Sequence, residues 1–209
     1  MKLTTGQKVS AFIVLLLIID QVSKIWIKTN MHIGESISVF GDWFQILFIE
    51  NKGMAFGMQF GGDFGKIMLT LFRVVLSGFI IFFMRKMVKQ KVETGVLVGL
   101  ALILTGAIGN LIDSLFYGLI FSESTYLKVA EFLPESGGYA PLFMGKVVDM
   151  LYFPLIDTVL PEWVPFKGGE HFVFFRPIFN IADSCISVGA VYLILFKWKF
   201  FSNLDKKKE

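Results

Sequence analysis

The run at residues 179–196, FNIADSCISVGAVYLILF, places Asn180 and Asp183 at the head of an otherwise apolar stretch. An ionisable side chain at the centre of a membrane span costs roughly 2.5–3.5 kcal/mol on insertion scales, less toward the interface, so such a residue marks a functional site by default. The pattern recurs along the chain. Asp20, Gln21 and Lys24 occupy the later part of an apolar run, Asn110 and Asp113 close another, and Asp149 stands in the patch GKVVDMLYF, which is apolar enough to hug a membrane surface. Asn110 with Asp113, and Asn180 with Asp183, are spaced i, i+3; Asp20 with Lys24 is spaced i, i+4, so each pair shares a helical face. Three elements can thus bring polar groups to one depth.

Carboxylates gathered in this way have a chemistry of their own. Two neighbouring carboxylates do not both ionise easily, so they share a proton. One then takes a proton from water as it attacks a carbonyl, and the other protonates the leaving amine, which is aspartic peptide hydrolysis. A proton- or cation-coupled carrier is the alternative, since it also uses intramembrane carboxylates. Against it, the carboxylates gather at one end of the spans, and no inverted repeat or broken helix is visible. A small assembly protein would explain the apolar runs but not the convergence. His32 and His171 are isolated and offer no ligand spacing, and there is no GxSxG, so neither a metal, a cofactor nor an activated serine is expected. Cys185, the single cysteine, reads as a small packed residue and excludes an internal disulfide framework.

The elements that must position these groups follow from composition. Of 209 residues, 55% are hydrophobic and 24 are Phe, far too apolar for a soluble domain. Four windows, 9–27, 67–84, 95–112 and 178–198, have the length of roughly 17–25 residues that crosses a bilayer. The reading is a single integral membrane domain, 1–209: an all-α four-helix transmembrane bundle with long outer connections at about 28–66 and 113–177. The first window is read as a retained anchor, since DQVSK rather than a small-residue cleavage site follows it. Lys2 and Lys8, the set Arg85, Lys86, Lys89 and Lys91, and the set Lys197, Lys199 and KKK at 206–208 all fall on one side. The positive-inside rule makes that side, and both termini, cytoplasmic. The lysine tail is a solvated anchor beside lipid and gives no reason to expect nucleic acid. ESISVFGDWFQILFIENKG carries two β-rich runs around Gly41-Asp42, a hairpin signal. Gly95, Gly99, Gly106, Ala107 and Gly109 keep one helix thin enough for close packing.

Each polar pair also has a structural reading. Asp20 and Lys24 can be a neutralising ion pair, Asn110 and Asn180 can cap helices or bridge spans, and Arg73 can snorkel or pair with a carboxylate.

Taken in order, the motifs DQVSK at 20–24, NKGMAFG at 51–57, TGAIGNLID at 105–113, VVDM at 147–150 and FNIAD at 179–183 resemble those of the bacterial lipoprotein signal peptidases, signal peptidase II. The resemblance implies a catalytic dyad of Asp149 and Asp183. It makes Asp20, Lys24, Asn51, Gly53, Gly109, Asn110, Asp113, Asn180 and Ala182 supporting or substrate-binding residues. It implies a four-span bundle with a small extracytoplasmic β-cradle and an interfacial segment, acting as a monomer in the bacterial cytoplasmic membrane, with its site at the outer face. The implied substrate is a prolipoprotein whose cysteine already carries diacylglycerol, cut just before that cysteine. Two features depart from the pattern. Ser114 stands where the family has arginine, with Arg176 first and Lys146 second as the expected suppliers of that charge, and the segment between TGAIGNLID and VVDM is much enlarged.

Overall fold

The computed structural model describes residues 3–53 and 62–206. The later part of the NKGMAFG motif, from residue 54, and the last lysines of the tail lie outside them. The elements are α1 (Thr5–Asn30), β1 (Ser36–Phe40), β2 (Phe44–Asn51), α2 (Gly62–Lys89), α3 (Thr94–Ile112), a π-helical turn (Asp113–Tyr117), α4 (Gly118–Ile120), β3 (Val147–Tyr152), β4 (Ile156–Val159), β5 (His171–Phe174), β6 (Ile178–Phe179) and α5 (Ile181–Lys206).

Four helices among the described residues are long and apolar enough to cross a membrane: Thr5–Asn30, Gly62–Lys89, Thr94–Ile120 and Ile181–Ser202. At 1.5 Å per residue these run about 33–42 Å, against a hydrocarbon layer of about 30 Å. Phe72, Val75, Phe79 and Phe82 on α2 and Val188, Val191, Leu195 and Phe196 on α5 point outward, as side chains facing lipid tails should. The helix through α3 is the centre of the bundle, with 67% of its apolar window buried against 17–22% for the others.

Lipid supplies no hydrophobic drive between helices, so close backbone approach must hold α3 to its neighbours. A Cβ on Gly106 would run into the Ala182 carbonyl oxygen of α5, and one on Gly109 would stand 2.7 Å from Asp20 Oδ2 of α1. At the far end from these residues, Val96, Leu97, Leu100 and Leu104 pack with Val9, Ile80, Met84 and Leu193 in one apolar core.

The opposite end carries an antiparallel sheet in the order β1-β2-β3-β6, with Ile49 opposite Asp149, Asn51 opposite Val147, and Leu151 opposite Phe179. The hairpin expected around Gly41-Asp42 is β1–β2, and Gly41 has a positive φ of 50°. Strand β3 is central and buried. Val148 and Met150 join Phe48, Ile27, Met31, Tyr117 and Phe121 in a second apolar core, and strand alternation turns Asp149 to the other face, toward Asn180 at the head of α5. β4 and β5 form a separate hairpin.

Three expectations are corrected here. The third span does not end at residue 112 but continues through the π-helical turn to Ile120, so Asp113 and Ser114 belong to the helix, where they are buried, and not to the connection from 113. The fourth helix starts at Ile181 rather than 178, because residues 178–179 are committed to the sheet as β6. Asp149 lies not on a surface patch but on the buried central strand. The enlarged segment 121–146 is tied down by its own backbone: Tyr139 N donates to Phe121 O, Gly145 N to Ser114 O, and Ile33 N, beyond α1, to Thr125 O.

Candidate active site

Asn180 caps α5. The Asp183 N–H donates to Asn180 Oδ1 at 2.8 Å, and the Asn180 N–H reaches back to Asp183 Oδ2 at 3.4 Å, the reciprocal pattern of a capping box. Asp20 Oδ1 of α1 accepts the Ala182 N–H at 2.9 Å, satisfying a further N–H of the first turn. The i, i+3 spacing of FNIAD therefore builds a helix start as well as presenting a carboxylate.

Two asparagines join the dyad candidates. Asn110 donates to Asp183 Oδ1 at 2.7 Å, and Asn180 Nδ2 donates to Asp149 Oδ1 at 2.8 Å, Asn110 Oδ1 at 3.1 Å and the Val148 carbonyl at 3.2 Å. Asn51, at the end of β2, donates to Asp149 Oδ2 and accepts the Gly53 N–H. Gly53 has φ +87°, a conformation that favours glycine.

Beneath lies a buried ionic layer. The Lys24 ammonium meets Asp20 at 3.0 Å, Asp113 at 2.9 Å and Asn110 at 3.0 Å, so its three protons have three acceptors, and both ion pairs are fully buried. Gln21 bridges Asp20 and Asp113 and accepts from the Tyr117 hydroxyl, and Asp113 Oδ2 accepts the Val148 N–H at 3.3 Å. Asp113 thereby holds β3, and with it Asp149, against the helices. A buried ion pair of this kind serves registry more than stability.

Asp149 is 4% exposed. Burial first, and then the Asp183 charge, push its carboxyl up from 3.8 to about 7, partly offset by the bonds from Asn180 and Asn51. Asp183 is half-buried, so the pair has one enclosed and one accessible member.

The structure thus brings together Asp20, Lys24, Asn51, Gly53, Gly109, Asn110, Asp113, Asp149, Asn180, Ala182 and Asp183. It does not bring Arg176, which is exposed between β5 and β6 and joins none of these bonds. Lys146 is not at Ser114 either; it pairs with Glu123 at 3.1 Å and Glu50 at 3.6 Å, its ammonium over the Tyr139 ring. The guanidinium beside Ser114 is that of Arg73, with Nη1 3.3 Å from Ser114 Oγ. Sequence reasoning also missed the fully buried Lys28, which pairs with Glu50 and donates to Ser124 of the enlarged segment at 2.8 Å. Its signal was present: Asp20, Lys24 and Lys28 are spaced i, i+4, i+8 on one face.

Four spans with polar side chains connected at one end define a multi-pass membrane protein, and its fold has a solved counterpart. A solved structure described as a bacterial membrane enzyme is similar to it with a TM-score of 0.59, over 94% of this chain and 90% of that one, at 24% identity. The chain belongs to the signal peptidase (SPase) II family, whose model matches residues 12–199, and is accordingly an aspartic-type peptidase. It is 53% identical to the lipoprotein signal peptidase of Porphyromonas gingivalis over 93% of this chain and 84% of that one. It is 39% identical to the lipoprotein signal peptidase of Amoebophilus asiaticus over 88% and 74%. This membership gives the carrier reading no support.

Proposed function

We propose that this protein removes the signal peptide from diacylglyceryl-modified prolipoproteins, cutting before the lipidated cysteine, with Asp149 and Asp183 as its catalytic dyad. The observation that carries the assignment is the bond network through Asn110 and Asn180, which ties these two carboxylates into one unit at one end of the bundle. The names of the curated relatives support the substrate class.

In this reading Asp149, whose carboxyl titrates at about 7, holds the shared proton and hydrogen-bonds the scissile carbonyl oxygen. Asp183 takes a proton from the attacking water, and the water oxygen bonds to the carbonyl carbon as the C=O electron pair moves to oxygen with the proton of Asp149. When the tetrahedral intermediate collapses, the C–N bond breaks, the cysteine nitrogen leaves with the proton from Asp183, and Asp149 recovers its own. The remaining residues of the cluster support the pair, Gly109 and Ala182 by leaving room where α1, α3 and α5 meet. Activity is expected to fall as pH rises through about 7, where Asp149 loses its proton.

The lysine distribution supports an orientation with both termini cytoplasmic and the sheet end at the outer face of the bacterial membrane. The protein works as a monomer in this reading, with lipid and prolipoprotein as its partners. The test is release of signal peptide from a diacylated prolipoprotein by the purified protein in detergent. Near-parent turnover in Asp149→Asn or Asp183→Asn would remove the dyad assignment. For orientation, in a variant lacking Cys185, a cysteine at exposed Ser136 should react with an impermeant thiol reagent outside intact spheroplasts while one at Gln90 should not; the reverse would invert the topology.

A further inference from the structure

Arg73 sits in the sheet-end half of α2, partly buried. Nη2 donates to the Gly53 carbonyl at 2.8 Å and Nη1 to Ser114 Oγ at 3.3 Å. From Gly53 the bonds run on to Asn51 and from Asn51 to Asp149. From Ser114 they run to the Asn110 carbonyl at 2.9 Å, and the Asn110 side chain holds Asp183. One guanidinium therefore braces the supports of both dyad candidates. The fit is close: a Cβ on Gly53 would stand 2.8 Å from Nη1.

The charges around the pair single out the same residue. Among the described residues, Lys24 from α1 and Arg73 from α2 are the cations that act on the pair, with Asp20 of α1 and Asp113 of the π-helical turn beside Lys24. Lys24 is spent on Asp20 and Asp113. Arg73 forms no ion pair among the described residues, yet Asp183, Asp113 and Asp149 are its electrostatic partners. Lys66, two turns earlier on the same face of α2, donates to the Gly145 carbonyl and has Lys52, Asp63 and Lys146 as charged neighbours besides Arg73.

We propose that Arg73 is the positioning residue of the dyad: it clamps the Asn51–Gly53 turn against Ser114, thereby fixing the Asn51 and Asn110 supports of the two carboxylates, and it sets a guanidinium charge beside the pair. Ser114, where the resemblance expects an arginine, leaves room for Arg73 and accepts its Nη1 proton at 3.3 Å. Arginine suits the task because its planar fork spans two acceptors, whereas lysine offers a point charge. The proposal rests on the assignment of Asp149 and Asp183 made above.

The test is cleavage of a diacylated prolipoprotein as a function of pH by the purified full chain in detergent, comparing the parent with Arg73→Gln, Arg73→Lys and the double variant Arg73→Gln/Ser114→Arg. Removing a cation beside Asp149 makes its carboxyl harder to ionise, so Arg73→Gln is expected to move the falling limb of the profile, set by Asp149, upward by roughly half to one pH unit and to lower kcat/KM about tenfold or more where Asp149 is protonated. Arg73→Lys should keep that limb in place while losing rate severalfold, and the double variant should regain part of the rate and the parent limb. Parent-like kinetics in Arg73→Gln, or a loss of rate with an unmoved limb, would overturn the proposal, the second outcome leaving Arg73 a structural brace alone. Where Arg73→Gln does not insert, a displaced limb in Arg73→Lys or an inactive double variant overturns it. A parent that releases no signal peptide fails the proposed function itself, which separates the two failures.

Discussion

Replacing Asp149 by asparagine is expected to abolish cleavage and to make the folded protein relatively more heat-resistant at alkaline than at acidic pH. Asp149 is 4% exposed, and its carboxyl is raised from 3.8 to about 7. For an acid raised on folding, the contribution to stability is fully present below the unfolded value and is lost as pH climbs through the folded one. At about 1.4 kcal/mol per unit, the loss totals about 4 kcal/mol, of which about 3 kcal/mol falls between pH 5 and pH 8. Asparagine does not titrate and escapes it. The substitution also sets an amide opposite the Asn51 amide that now donates to Asp149, a cost of about 1 kcal/mol that does not vary with pH. The advantage of Asp149→Asn over the parent should therefore grow by about 3 kcal/mol from pH 5 to pH 8. That corresponds to about 6–12 °C in Tm for a chain of this size, read by thermal unfolding in one detergent at several pH values. A Tm difference that stays constant across that range would show that Asp149 is not held protonated by its surroundings.

Lys24→Met removes the cation that pairs with both Asp20 and Asp113, each fully buried, and should cost about 3–5 kcal/mol. A Tm in detergent within 2 °C of the parent would contradict the ionic layer described above. Gly106→Ala drives a methyl group into the Ala182 carbonyl at the α3–α5 contact and should destabilise by about 1–3 kcal/mol. Gly78→Ala, which meets nothing within 4 Å, should be neutral or stabilise by up to about 1 kcal/mol; equal losses in the two would remove the packing argument. Asp113→Asn keeps one acceptor oxygen, enough for either the Gln21 amide or the Val148 N–H of β3, and should weaken but retain measurable cleavage; a loss as complete as that of Asp149→Asn, in a folded protein, would reopen which carboxylates form the pair.

Some of this was readable from single residues. Apolar runs of membrane-crossing length announce four spans whatever their arrangement, because a backbone in hydrocarbon must satisfy its own hydrogen bonds and a helix does so locally. Gly41-Asp42 between β-rich runs announces a hairpin for an equally local reason. The i, i+3 spacing of Asn180 and Asp183 put both on one helical face, although their bond to each other as a capping box emerged only with the helix start at Ile181.

What composition and spacing could not reach were contacts between segments far apart in the chain. The sequence by itself determined the spans, the hairpin and the order of the polar motifs, since each depends on neighbours within a few residues. Only the tertiary structure decided that Asp149 belongs to a buried central strand, because β3 gains that place by pairing with β2 and β6, about 100 residues before it and about 30 after it. It also decided that Arg73, rather than Arg176, meets Ser114. Arg176 is nearer the FNIAD motif in sequence, but the short β6 strand carries it out to solvent, while the packing of α2 on α3 brings a guanidinium 41 positions away within 3.3 Å of the serine hydroxyl. Side-chain partners across helices depend on which faces pack, and close backbone approach at residues as small as Gly106 and Gly109 sets those faces for α3.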